Sequence, residues 1–190
     1  MKTVVNQLLE KVRGTSSFVQ IVKKFNIKNQ EEGLLEVALK NSANEIGVEA
    51  VQMILANPNS DLIKNSLQSA NISDGIKTAE VLGNSKEKKI IPLLVPIITD
   101  PKRDLALRQQ AVRSLAQTLP GANDLLTLAK EEKLPNDLRM MVSSELNGSR
   151  WPKIKSAARE ILPLPPGKNP EPLPPPTELM KMKGDAMEGE

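Results

Sequence analysis

The sequence predicts an all-α fold: an α-solenoid of about ten helices, packed as antiparallel pairs and followed by a proline-rich extended tail. Three observations predict it. From residue 4 to about residue 162, apolar residues recur three and four apart, and sustained strand-like alternation is absent. Five segments within that stretch look alike, at a spacing that suits a helix–turn–helix unit of roughly thirty residues. At 190 residues the chain is long enough to bury a core without metals or cross-links.

The elements can be justified in order. Leu34, Val37 and Ala38 make one apolar stripe. Asn29 precedes Gln30-Glu31-Glu32, a capping residue type followed by acids in a first turn. Ser60-Asp61 can cap the next helix but one. Leu107, Ala111 and Leu115 make a second stripe, with Val112 beside them. Pro135 and Pro152 suit first-turn positions, where a missing N–H costs nothing. Helix stops are expected at Gly83-Asn84, at the Asp100-Pro101 turn and at Asn147-Gly148. Pro92 and Pro96 share one helix, where Pro96 removes a backbone hydrogen bond and kinks the axis. Trp151 before Pro152 reads as an apolar residue packed at a helix start.

The five similar segments are 47–55, 76–82, 107–115, 138–146 and 154–162. Their closing leucines are Leu55, Leu82, Leu115, Leu146 and Leu162. The last interval is about half the others, so the array is expected to end on a half-step. Small residues in the middle of each segment let neighbouring helices approach closely. One helix pair cannot bury its apolar face alone, whereas stacked pairs bury a continuous core. The expected core is Leu55, Leu82, Leu94, Leu107, Ala111, Leu115, Leu126, Leu138, Leu146, Ala158 and Leu162.

Composition narrows the chemistry. There is no His, no Cys and no Tyr, with one Trp and two Phe. That excludes disulfides, thiolate zinc sites, iron–sulfur clusters and cysteine nucleophiles. It also removes the commonest neutral-pH general base and metal ligand. Glu31-Glu32, Glu131-Glu132 and Asp100/Asp104 remain as candidate acid pairs. Adjacent acids on a helix point about 100° apart and do not converge on one substrate. The plainer reading is a helix start for Glu31-Glu32 and a solvated helix end for Glu131-Glu132. No catalytic, cofactor-binding or metal-ligating residue is therefore assigned, and the chain is expected not to be an enzyme. The net charge of +3 is spread along the chain, with no basic arm. With so few aromatics to stack bases, nucleic acid is not an expected partner. The longest strongly apolar run, Ile90–Ile98, is broken by two prolines and falls far short of the roughly 20 residues a membrane span needs. No membrane association is expected, and the opening residues turn polar too early for a signal peptide.

Residues 99–111, Thr99 to Ala111, resemble the second half of a HEAT repeat: an Asp-Pro turn, an apolar-Arg pair (Leu107-Arg108), then Ala111 three further on. The turn is slightly longer than in that pattern. Asp137-Leu138-Arg139 repeats part of it. The resemblance implies a HEAT-like or armadillo-like fold over residues 1–162. It also implies a scaffold role for Arg108 and Arg139, stabilising turns and stacking along the inner helices.

Residues 163–176 hold eight of the fifteen prolines and read as a polyproline II spacer. They could also serve as a ligand for an aromatic groove on a partner. Residues 177–190 return to polar, helix-compatible sequence. Met180, Met182 and Met187 lie there, and without His they are poor material for a copper site. The order of these parts resembles the HEAT-like connector of large secreted proteins of planctomycetes, verrucomicrobia and some Bacteroidetes. In those proteins a sugar-dehydrogenase-like β-propeller precedes helical repeats and a C-terminal cytochrome c domain. Residues 18–27 resemble the connector's opening helix, 105–115 its central repeat, and Arg150-Trp151-Pro152 its last helix start. Leu162-Pro163-Leu164-Pro165 and the spacer are also typical. Lys183 to Glu190, with Gly184-Asp185 and Gly189, resembles the opening of the cytochrome domain, ahead of its Cys-x-x-Cys-His.

That resemblance implies a non-catalytic scaffold that spaces a propeller against a haem domain. Haem c would belong only to the following domain. The implied partners are protein domains of the same parent chain. The implied location is periplasmic or secreted, although the absent signal peptide leaves a cytoplasmic one open. A free-standing module that binds a protein or peptide is the alternative, and a nucleic-acid-binding HEAT protein ranks below both.

Overall fold

The computed structural model describes residues 2–57 and 61–165. Eleven α-helices account for most of them, with no strand among the described residues. They are α1 (Lys2–Val12), α2 (Ser16–Lys24), α3 (Glu31–Lys40), α4 (Glu45–Leu55), α5 (Leu62–Leu67) and α6 (Ile72–Ser85). After a 3-10 turn at Lys88–Ile90 come α7 (Ile91–Thr99), α8 (Leu105–Ala116), α9 (Leu119–Lys130), α10 (Asn136–Asn147) and α11 (Pro152–Ile161). Nearly all of the expected 163–176 spacer, and the whole 177–190 tail, lie outside the described residues.

The contacts follow a simple order. Helices α2, α4, α6, α8 and α10 touch in series, each packing on the next. Helices α3, α5, α7 and α9 each pack on the even-numbered helix that follows them. Four of the five similar segments supply α4, α6, α8 and α10, which look alike because each packs on an even-numbered neighbour. The fifth supplies α11, which packs on α9 and α10 instead of extending the even-numbered series.

Packing of the series depends on small and apolar side chains. Ala50, Ala79, Ala111 and Val142 are fully buried. Gly83 lies inside α6, where a Cβ would sit 2.7 Å from the Ser114 backbone of α8. The Ser114 hydroxyl donates to the Ala79 carbonyl at 2.6 Å, so a polar bond seals the same close approach. The expected stop at Gly83-Asn84 falls one residue short of the observed helix end, and Gly83 is also a crossing point. The helix runs on to Ser85 and closes at Lys86, which adopts a left-handed φ of 56°.

Other expectations shift by small, explicable amounts. Gln30, not Asn29, caps α3, and Asn29 takes a left-handed φ of 60° in the loop before it. Pro152 occupies the first position of α11, while Pro135 sits one residue before α10. Pro96 lies inside α7 as the sequence indicated. All the expected core residues are buried except Leu55, which is half-buried. The inward stripe of α4 runs through Gly47, Ala50, Val51 and Ile54, and Leu55 falls one helical step beyond it.

Candidate interaction surface

The sequence-selected acids all have structural positions. Asp104 caps α8, its carboxylate accepting from the Ala106 and Leu107 amides at 2.9 and 3.2 Å. Asp100 ends α7, accepts from the Lys102 amide at 3.0 Å and pairs with Arg103. Glu31 and Glu32 open α3. Glu131 pairs with Lys133 at 2.8 Å in solvent, and that hydrogen bond raises the lysine's pKa. Glu31 and Glu32 line one hollow of about 430 Å³ together with Arg13, as neighbours on the first turn of α3. Among the described residues no group of acids could hold a metal ion, and no helix is long and apolar enough to cross a membrane.

Arg108 and Arg139 part company. Arg108 is buried, donates to the Ile98 carbonyl at 3.3 Å, and binds both oxygens of Asp137 on α10. Those hydrogen bonds hold the Asp137 carboxyl below the usual carboxylate range. Arg139 occupies the equivalent place on α10 but is exposed. Arg108 is covered because α10 stacks on α8 and brings Asp137 over it. Among the described residues no further helix stacks on α10 in that way, since α11 turns to α9.

The same stacking creates a groove. Helices α6, α8 and α10 end along one edge. Their last residues and the start of α11 enclose about 360 Å³, lined by Lys86, Ala116, Gln117, Glu145, Gly148, Ser149, Arg150 and Trp151. Arg150 donates to the Gln117 carbonyl at 3.3 Å, and its guanidinium carbon lies 4.7 Å from the centre of the Trp151 ring. Trp151 is half-buried against the core, as expected of an apolar residue at a helix start. Lys86 also lines a second hollow of about 580 Å³ with Glu49, Gln52 and Asn84, so the edge continues towards α4. There Lys23 pairs with Glu49, tying α2 to α4.

A further cleft of about 560 Å³ lies at the start of the chain, between the α2–α3 loop and the end of α4. Val22, Leu34 and Met53 floor it, and the loop residues Asn26 and Asn29, both left-handed, rim it. Sequence reading singled out none of these hollows. The repeat spacing held a usable signal for the first: Lys86, Gln117 and Ser149 each follow a closing leucine (Leu82, Leu115, Leu146) by two to four residues. Residues that follow equivalent helices align along one edge once the helices stack.

No protein-family model matches the chain, and no curated protein or solved structure matches it.

Proposed function

We propose that this chain is a non-catalytic scaffold, a HEAT-like α-solenoid acting as a connector between protein domains. The observation that carries the reading is the way the helical part ends. Leu162 is buried, and its carbonyl accepts from the Ser143 hydroxyl at 2.7 Å and from the Asn147 amide at 3.1 Å, both on α10. The backbone therefore leaves the helices from a fixed point, immediately before the proline run begins. A fixed exit ahead of a proline-rich sequence, of the kind that forms semi-rigid spacers, suits a connector. The series of stacked helices, tied across by Arg108 and Asp137, supports the same reading, because each pair rests on its neighbours.

The resemblance of the parts to propeller–repeat–cytochrome proteins gives the connector its specific form. It would hold a sugar-dehydrogenase-like propeller near a cytochrome c domain, in a parent protein that is periplasmic or secreted. Its contribution to electron transfer would be geometric, and haem would be held entirely by the following domain. The native reading frame beyond the codon for Glu190 tests this directly. Continuation into an aromatic residue and then Cys-x-x-Cys-His is the expected result. A stop codon there removes the connector reading in favour of a free-standing module that binds a protein or peptide.

A further inference from the structure

The groove at the ends of α6, α8 and α10 holds more hydrogen-bond donors than the fold uses. A guanidinium has five N–H groups, and Arg150 commits one of them, to the Gln117 carbonyl. The Lys86 ammonium, exposed on the groove wall, makes no hydrogen bond or ion pair among the described residues. Cations gather at helix C-termini because they complement the partial negative charge there. Lys89 does so for α4, donating to the Leu55 carbonyl at 3.1 Å. That accounts for cations at this edge but leaves most of their donors pointing at solvent. Glu145, the one carboxylate lining the groove, forms no ion pair with either cation among the described residues.

The groove also has an apolar lining of Trp151 and Ala116, with Arg150 over the Trp151 ring. A Trp braced by an Arg, in a concave site, has the residue chemistry that dominates protein-interface energetics. We infer that this groove docks an acidic, extended segment of a protein partner. Carboxylates of that segment meet Lys86 and Arg150, and an apolar side chain rests against Trp151 and Ala116. Its backbone N–H groups find acceptors in Glu145 and in the carbonyls that end α8 and α10. That last feature favours a peptide over a nucleic acid, because a phosphodiester backbone brings no N–H donor. The inference rests on the scaffold reading, since it names where a scaffold would hold its partner.

Trp151 is the only Trp in the chain, so its fluorescence reports on the groove alone. The probe is a blocked, extended peptide of Glu, Leu and Pro, titrated into the full chain. A Lys-for-Glu peptide and an oligothymidylate serve as comparisons. The expected result is saturable change with a Kd of about 10–100 μM, weakening as salt is raised from about 50 to about 300 mM. Lys86→Ala and Arg150→Ala each weaken it about three- to tenfold, and Arg150→Lys keeps part of it. Both side chains are exposed, and helical circular dichroism shows whether the variants stay folded. The inference is overturned if the Glu peptide does not bind, if the Lys peptide or the oligothymidylate binds as tightly, or if the double alanine variant binds undiminished. These outcomes are separable from the reading-frame test. A stop codon after Glu190 retires the connector and leaves the groove standing, and a silent titration does the reverse.

Discussion

The guanidinium of Arg108 holds the carboxylate of Asp137 through two parallel bonds, Nη1 to Oδ2 at 2.5 Å and Nη2 to Oδ1 at 2.9 Å. The pair spans two stacked helices, yet it is lopsided: the Arg108 side chain is 2% exposed and that of Asp137 47%. Removing one partner is therefore not equivalent to removing the other. Asp137→Ala leaves a buried guanidinium with only the Ile98 carbonyl for company. Arg108→Met leaves a carboxylate that water can solvate, and fills the stem's volume with apolar atoms. Arg108→Met is expected to cost about 1–2 kcal/mol. Asp137→Ala is expected to lower the melting temperature further than Arg108→Met does. Thermal unfolding of the two variants side by side checks the order; equal losses would mean that the pair contributes nothing beyond packing.

The same pair sets a pH dependence. Hydrogen bonds from Arg108 depress the Asp137 carboxyl in the folded state. A depressed carboxyl stabilises the fold fully above its unfolded pKa of about 3.9. That stabilisation is lost as pH falls through the lower, folded value. Asp137→Asn should be less stable than the wild type at neutral pH, and the two stability curves should converge below about pH 4. Denaturant melts at a series of pH values measure this. Parallel curves down to acid pH would show that Asp137 titrates as it does in the unfolded chain.

The series of helices was legible because burial imposes a period. Gly47–Leu55, Ile76–Leu82, Leu107–Leu115 and Leu138–Leu146 look alike since each supplies a helix of the stacked series. What the sequence hid were features that depend on which helices meet. Gly83 reads locally as a stop, and its second role, the passage of Ser114 at 2.7 Å from its would-be Cβ in the last turn of α6, shows only in the packing. Arg108 and Arg139 share a motif, but one is covered by the next helix and the other is not. The groove was equally hidden, because Lys86, Gln117 and Arg150 lie far apart in sequence and meet only through stacking.

Gly83 gives a sharp packing test. In an isolated helix, Gly→Ala stabilises by about 1 kcal/mol. Here the added methyl meets the Cα, Cβ and Oγ of Ser114, all at 2.7 Å, and must push α6 and α8 apart. The shift also stretches the Ser114–Ala79 bond. Overpacking of this kind costs about 1–3 kcal/mol, so Gly83→Ala should destabilise on balance. Urea unfolding followed by circular dichroism reads the sign. A gain in stability would show that the crossing is looser than these distances.

Asp104 separates structure from chemistry among the acids that the sequence put forward. Its carboxylate accepts from two amides of the first turn of α8. Asn caps a helix about as well as Asp, whereas Ala loses about 1 kcal/mol. Asp104→Asn should therefore be close to neutral and Asp104→Ala destabilising by about that amount. A large loss in the Asn variant, seen by thermal unfolding, would point to a charge requirement that capping does not explain.

The exit of the helical part provides the last prediction. The Leu162 carbonyl accepts two hydrogen bonds from α10, one from Ser143 and one from Asn147, and Asn147 also donates to the Ser143 carbonyl at 2.9 Å. A buried hydroxyl bonded to a carbonyl contributes about 1 kcal/mol, and leaving a buried acceptor unpaired costs about 1–3 kcal/mol. Ser143→Ala alone leaves Leu162 one donor and should be mild. Ser143→Ala with Asn147→Ala leaves none, and the loss should exceed the sum of the two single changes. The effect should also be local: amide exchange should speed up at the end of α11, while the α6–α8 crossing keeps its protection. If exchange at α11 is unchanged in the double variant, Leu162 is held by its apolar packing alone. The fixed exit that supports the connector reading would then have to come from the side chains of Ile154, Ala158 and Leu162 rather than from the backbone bonds.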